Sequence, residues 1–107
     1  MIKIEIFRTS VGRISGYTIH GHHGDYGTDI VCAGVSALGQ TALLGIERHL
    51  HREMIYEVAS GDLKMKLKGV PDDLTEAILE TMVLGLAEIA KLYPKDVHIS
   101  EVQEVES

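Results

Sequence analysis

The stretch Met54-Ile55-Tyr56-Glu57-Val58-Ala59-Ser60-Gly61-Asp62-Leu63-Lys64-Met65-Lys66-Leu67-Lys68 decides the fold. Leu63, Met65 and Leu67 alternate with Lys64, Lys66 and Lys68. A period of two puts the apolar set on one face of a strand and the lysines on a solvent face. Residues 54–60 form a second strand candidate, with Ile55, Tyr56 and Val58 favouring extended backbone. Gly61-Asp62 joins the two runs, so the stretch reads as an antiparallel hairpin.

Working outward, the flanking segments are helical. Asp29 suits the N-cap of a helix over residues 30–49. Ile30, Val31, Ala33, Val35, Leu38, Ala42, Leu43 and Ile46 make that helix apolar over much of its surface, which predicts deep burial against a sheet or in an oligomer interface. On the other side, Pro71 suits a first helical turn. Leu74, Ile78, Thr81, Gly85 and Ile89 recur at helical spacing over residues 72–92 and predict a core stripe. Pro94 ends that helix.

Near the N-terminus, residues 2–8 alternate, with Ile2, Ile4 and Ile6 on one face and Lys3 and Glu5 on the other. Residues 10–12 make a turn. Residues 13–20, with Ile14, Tyr17, Thr18 and Ile19, form a second strand, giving another hairpin. Val97, Ile99 and Glu101 predict a last short strand before an acidic tail that frays. The order ββαββαβ predicts an α+β fold in two layers, with helices packed on a mostly antiparallel sheet. Strand order stays open. No linker, repeat or low-complexity segment divides the 107 residues, so residues 1–107 are expected to be a single domain.

Composition narrows the function classes. An apolar fraction of 45% and a charged fraction of 24% exclude a disordered chain. A formal net charge of −6 disfavours nonspecific binding to nucleic acid or to an anionic membrane, and suits a basic partner. No apolar run is expected to approach the ~20 residues that cross a bilayer. The opening Met-Ile-Lys-Ile-Glu-Ile lacks the basic region and apolar block of a signal peptide. One cysteine excludes an intramolecular disulfide, so a reducing cytoplasm is the expected compartment.

That cysteine, Cys32, follows the histidine pair His22-His23 and a loop over residues 21–28 that holds three glycines. With Asp29 as N-cap, Cys32 is the third helical residue, near unpaired backbone N–H groups and the positive end of the helix dipole. Both stabilise a thiolate, the attacking species. A histidine near it can take the thiol proton and later protonate a leaving amine. Backbone N–H groups at the helix start can stabilise an oxyanion.

Other readings stand beside this one. A lone cysteine in an apolar helix is usually a small core residue. His22 and His23 fit a solvated loop, and His20 a strand end. His49 and His51 flank the C-terminus of the first helix, where a cation suits the dipole. His20, His22 and Cys32 are also ligand types that zinc accepts, although the paired spacing of a structural zinc site is missing. No cofactor is expected, and no phosphate-cradling loop is present.

The segment Gly21-His22, Gly24, Gly27-Thr28-Asp29-Ile30-Val31-Cys32-Ala33 and Val35-Ser36-Ala37-Leu38 resembles the signature of the bacterial ribosomal-processing cysteine proteases, the Prp family. The likeness extends over nearly the whole chain. It implies an endopeptidase that removes the N-terminal extension of large-subunit ribosomal protein number twenty-seven, acting as a homodimer with a mobile loop over the site. Carried over by residue, His22 matches the catalytic histidine and Cys32 the nucleophile. Asp29 and Ser36 match accompanying polar positions that shape the site. The loop between His22 and Cys32 is slightly shorter than the family's. His23 stands where a small residue is common, which leaves two imidazoles competing for the sulfur. A ribosomal-protein binding module that does not cut, and a small metal-binding protein, are the alternatives.

Overall fold

The computed structural model describes residues 1–21, 26–59 and 61–104, and the backbone alone for residues 26–29. Strands β1 (Ile2–Arg8) and β2 (Ile14–His20) form the first hairpin. Helix α1 (Tyr26–Leu44) follows, continued by a π turn at Gly45–His49. Then come β3 (Met54–Ala59), β4 (Asp62–Leu67), helix α2 (Asp73–Leu92) and β5 (Val97–Gln103). The strands form one five-stranded sheet in the order β3-β4-β2-β1-β5. All pairs are antiparallel except β1 with β5, which α2 delivers in parallel register, Ile2 opposite Val97.

Both helices cover one face of this sheet. Ile2, Ile4 and Ile6 from β1, Tyr17 and Ile19 from β2, and Leu63, Met65 and Leu67 from β4 are buried beneath them. Full burial of one such isoleucine stabilises the fold by about 2–3 kcal/mol. The alternate residues, Lys3, Glu5, Thr18, Lys64 and Lys66, line the uncovered face. The period of two in β1 and β4 is therefore read correctly from sequence, and the α+β two-layer expectation holds.

Helix α1 lies close on the sheet because position 39 carries no side chain. A Cβ there would come within 2.5 Å of the Ile19 side chain. The space admits the ring of Tyr17, whose buried hydroxyl donates to the Gly39 carbonyl at 2.7 Å. Val31, Val35, Ala42, Leu43 and Ile46 are the buried residues on this side.

Three expectations need correction. First, α1 begins at Tyr26, so Asp29 lies within its first turn and is not the N-cap. Preference for a cap is statistical, and an acidic residue is equally favourable in the first turn beside the dipole. Second, Ile30–His49 is long and apolar enough to cross a membrane by length and composition, contrary to the sequence reading. Here one side of it packs on the sheet and another against α2, as in a core helix.

Third, the core stripe of α2 is Thr75, Leu79, Met82 and Leu86. Leu74, expected to lead the stripe, is 56% exposed. The expected positions Ile78, Gly85 and Ile89 instead abut α1: they lie against Gly45, Leu38 and Gly34 respectively. The helical period is right, but the stripe found is the one that meets the other helix.

The N-terminus of α2 is built firmly. Asp72 accepts from the backbone N–H groups of Leu74 and Thr75, while Thr75 returns a bond to the Asp72 N–H, completing a capping box. Arg52 donates to the same carboxylate at 3.0 Å. Arg13 pairs with Asp73 at 2.6 Å, tying the first hairpin to this end of the helix.

Candidate active site

Helix α1 presents four sides. Gly34, Leu38 and Gly45 face α2. Val31, Val35, Gly39 and Ile46 face the sheet, and Ile30, Ala33, Ala37 and Leu44 face outward. The side left is the one away from α2, toward the outer strand β3. Cys32 and Ser36 occupy it, one turn apart and both half-buried. Cys32 packs its inner edge against the hydrophobic core. Position 29 stands one turn earlier on the same stripe, by the 3.6-residue period.

Because α1 starts at Tyr26, Cys32 is the seventh helical residue and not the third. The unpaired N–H groups of a helix belong to its first four residues. The dipole's influence fades within the first turn. A helical side chain leans back toward the N-terminus, so the sulfur still points toward the helix start. The helix end then assists, and a base must contribute more than the sequence reading supposed.

His22 and His23 lie outside the described residues, as does the side chain of Asp29. The point from which the histidine segment departs is well defined. Gly21 follows β2 with φ +106°, a conformation that favours glycine. A Cβ there would collide with the Met1 carbonyl oxygen. The Gly21 N–H donates to the Gly61 carbonyl at 2.9 Å, locking the end of β2 to the β3–β4 turn.

His20 goes elsewhere. It belongs to the strand positions that line the uncovered face of the sheet, and it approaches Asp62 at 3.3 Å. It thus shares a face with Lys3, Thr18 and Lys64, while Cys32 lies on the helix side. The metal set His20, His22 and Cys32 would need ligands from both faces of the sheet. A cleft of about 510 Å³ also lies on that uncovered face, so the sheet separates it from the thiol.

Along the α1 stripe beyond Ser36 come Gln40, Leu43 and Glu47. With Leu44, Arg48, Tyr56 and Val58 they line a cleft of about 240 Å³. The Tyr56 hydroxyl bonds to the Glu47 carboxylate, and that bond together with the carboxylate's charge holds the phenol above its usual range. Gln40, Leu43 and Glu47 are cleft positions absent from the site expected from sequence. Continuing the spacing 29-32-36 by the same period reaches 40, 43 and 47, a signal available from the start.

A sequence profile described as cysteine protease Prp matches residues 1–98. The ribosomal processing cysteine protease Prp of Staphylococcus aureus strain Mu50 is 29% identical over 105 residues, covering 94% of this chain and 98% of that protein. The crystal structure of an essential ribosomal processing protease Prp from S. aureus with a covalently linked product peptide aligns with a TM-score of 0.86 at 26% identity, over 95% of this chain and 100% of that one. The same protease with a substrate peptide aligns at a TM-score of 0.88 and 25% identity, over 95% and 100%. With the profile spanning most of its length and the fold shared throughout, the chain belongs to the cysteine protease Prp family.

Proposed function

We propose that the protein is a cysteine endopeptidase of ribosome maturation that removes the N-terminal extension of large-subunit ribosomal protein number twenty-seven, with Cys32 as nucleophile and His22 as its base. The observation that carries this reading is the half-buried Cys32 on the open side of α1, in a chain of a cysteine protease family. Cys32 is also the chain's one cysteine. Asp29 and Ser36, one turn to either side, shape the site.

The chemistry follows from these groups. The thiol proton passes to the imidazole, and the sulfur bonds to the scissile carbonyl carbon as a π electron pair moves to oxygen. The positive end of α1, about one turn away, gives that oxyanion modest stabilisation. Collapse breaks the C–N bond, and the amine leaves with the proton from the imidazolium. Water, deprotonated by the imidazole, then attacks the thioester, releasing the acid and restoring the thiol.

Two further parts of the reading concern the protein's surroundings. The outward side of α1 carries Ile30, 78% exposed, then Ala33, Ala37, Thr41 and Leu44, without a charge. Beside it Leu84 protrudes, 70% exposed, next to a groove lined by Leu38, Thr41, Gly45, Ala77, Ile78 and Thr81. Knob and hole on one patch suit a two-fold homodimer. A cytoplasmic location keeps the thiol reduced.

Alkylation kinetics test the dyad. Iodoacetamide at neutral pH modifies Cys32 rapidly in the native protein and at least about tenfold more slowly in His22→Ala. A thiol equally inert in both proteins contradicts the assignment and favours a binding module.

A further inference from the structure

We infer that the groove between α1 and β3 is a subsite for the peptide substrate, holding an extended, apolar stretch several residues from the scissile bond. The inference rests on the reading of Cys32 as nucleophile.

Three observations converge on this groove. Cys32, Ser36, Gln40 and Leu43 are spaced by four, four and three residues, so they form one stripe along α1, and Glu47 in the π turn that continues the helix lines the same cleft. The cleft, with Leu43, Leu44, Tyr56 and Val58 as its apolar lining and Gln40, Glu47 and Arg48 at its polar margin, is the continuation of the side that bears the thiol. Its occupant is therefore a chain that already passes Cys32.

The strand opposite is unfilled. Tyr56 and Val58 pair in register with Met65 and Leu63, which are buried, so all four are on the core-facing side of the sheet. Yet Tyr56 is 46% and Val58 51% exposed. The reason is position: β3 is the outer strand, and α1 covers β4 but stops short of it. The Tyr56 hydroxyl meets Glu47, but its ring and the Val58 side chain stay uncovered on the inner face, and such apolar surface calls for an apolar partner.

The edge itself offers main-chain bonds. No strand among the described residues pairs with the outer side of β3. An extended peptide can add there, with main-chain bonds giving affinity and alternate side chains entering the groove for specificity. The distance sets which residues these are. At ~1.5 Å rise per residue, Gln40 lies ~12 Å and Glu47 ~22 Å along the helix from Cys32. At ~3.3 Å per residue, an extended peptide covers that span with residues about four to seven positions from the reacting bond.

The test compares two peptides from the precursor of large-subunit ribosomal protein number twenty-seven. The long one has at least eight residues on each side of the cleavage point, the short one three. Val58→Lys and Tyr56→Ala are assayed beside the unmodified protein, with thermal melting to confirm folding. We expect KM for the long peptide to rise about tenfold or more with kcat little changed, and kcat/KM for the short peptide to move less than about twofold. Equal losses on both peptides, or no loss on either, overturn the subsite and leave the protease reading intact. Failure of the unmodified protein to cut either peptide overturns the protease reading, and the subsite with it.

Discussion

Gly21 donates its N–H to the Gly61 carbonyl at 2.9 Å, which fastens the exit of β2 to the turn between β3 and β4. Helix α1 departs from this same end of the sheet, so the bond fixes where the segment carrying His22 leaves the scaffold relative to the face carrying Cys32. Gly21→Ala forces an alanine into positive φ, which costs about 1–2 kcal/mol, and drives its Cβ into the Met1 carbonyl. The expected result is a melting temperature lower by about 5 °C or more. Precursor cleavage should fall further than the loss of folded protein accounts for. Thermal melting and a cleavage assay below the melting transition, run on the same samples, check it.

Tyr17 gives a prediction about the core and its pH dependence. Its hydroxyl donates to the Gly39 carbonyl, and burial pushes its ionisation well above the usual range. Tyr17→Phe removes one buried hydrogen bond and should destabilise the fold by about 1 kcal/mol at neutral pH. The sign of the alkaline effect follows from the raised value. The unfolded phenol ionises near pH 10 while the folded one resists, so stability is full below about pH 10 and declines above it. Denaturant titrations of both proteins from pH 8 to 11 should show the native protein losing its advantage over the variant as pH rises.

Asp72 is the acid-side counterpart. The Thr75 backbone N–H, then Arg52 and the Leu74 N–H, hold its carboxylate below the usual range. Its contribution is therefore present above the ordinary carboxylate value and is lost as pH falls through the lower folded value. Asp72→Ala should lower the melting temperature, whereas Asp72→Asn should retain most of it, because asparagine caps a helix well. Melting curves at pH 7 and pH 3 check both points: the gap between native protein and Asp72→Asn should narrow at the lower pH.

The parts of this fold legible in the sequence are those set by local periodicity. The alternation of Ile2, Ile4 and Ile6 and of Leu63, Met65 and Leu67 gives strands and buried faces correctly, because a period of two admits one arrangement on a half-covered sheet. The α2 stripe fails by one position because that helix has two partners. Thr75 is fully buried against the sheet, while Gly85 owes its place to the close approach of Leu38 on α1, and periodicity alone does not rank the two. The parallel pairing of β5 is a long-range choice that no local pattern encodes. At the site, the sequence singles out Cys32 by its chemistry and Ser36 only through the family resemblance; the helix sets the two one turn apart. The start of α1 was not legible, because glycine and aspartate mark loops and first turns alike. Tyr56 and Val58 were read as ordinary strand residues, since their exposure depends on β3 being outermost.

The central claim is that Cys32 is the nucleophile of a peptidase. The most direct measurement is incubation of the extended precursor of large-subunit ribosomal protein number twenty-seven with the native protein and with Cys32→Ala, followed by intact-mass spectrometry. Cys32 is half-buried and the change is small, so the variant should fold. The account predicts one cleavage product with the native protein and, with Cys32→Ala, a rate lower by at least about a thousandfold. Cleavage at an undiminished rate by Cys32→Ala would contradict it.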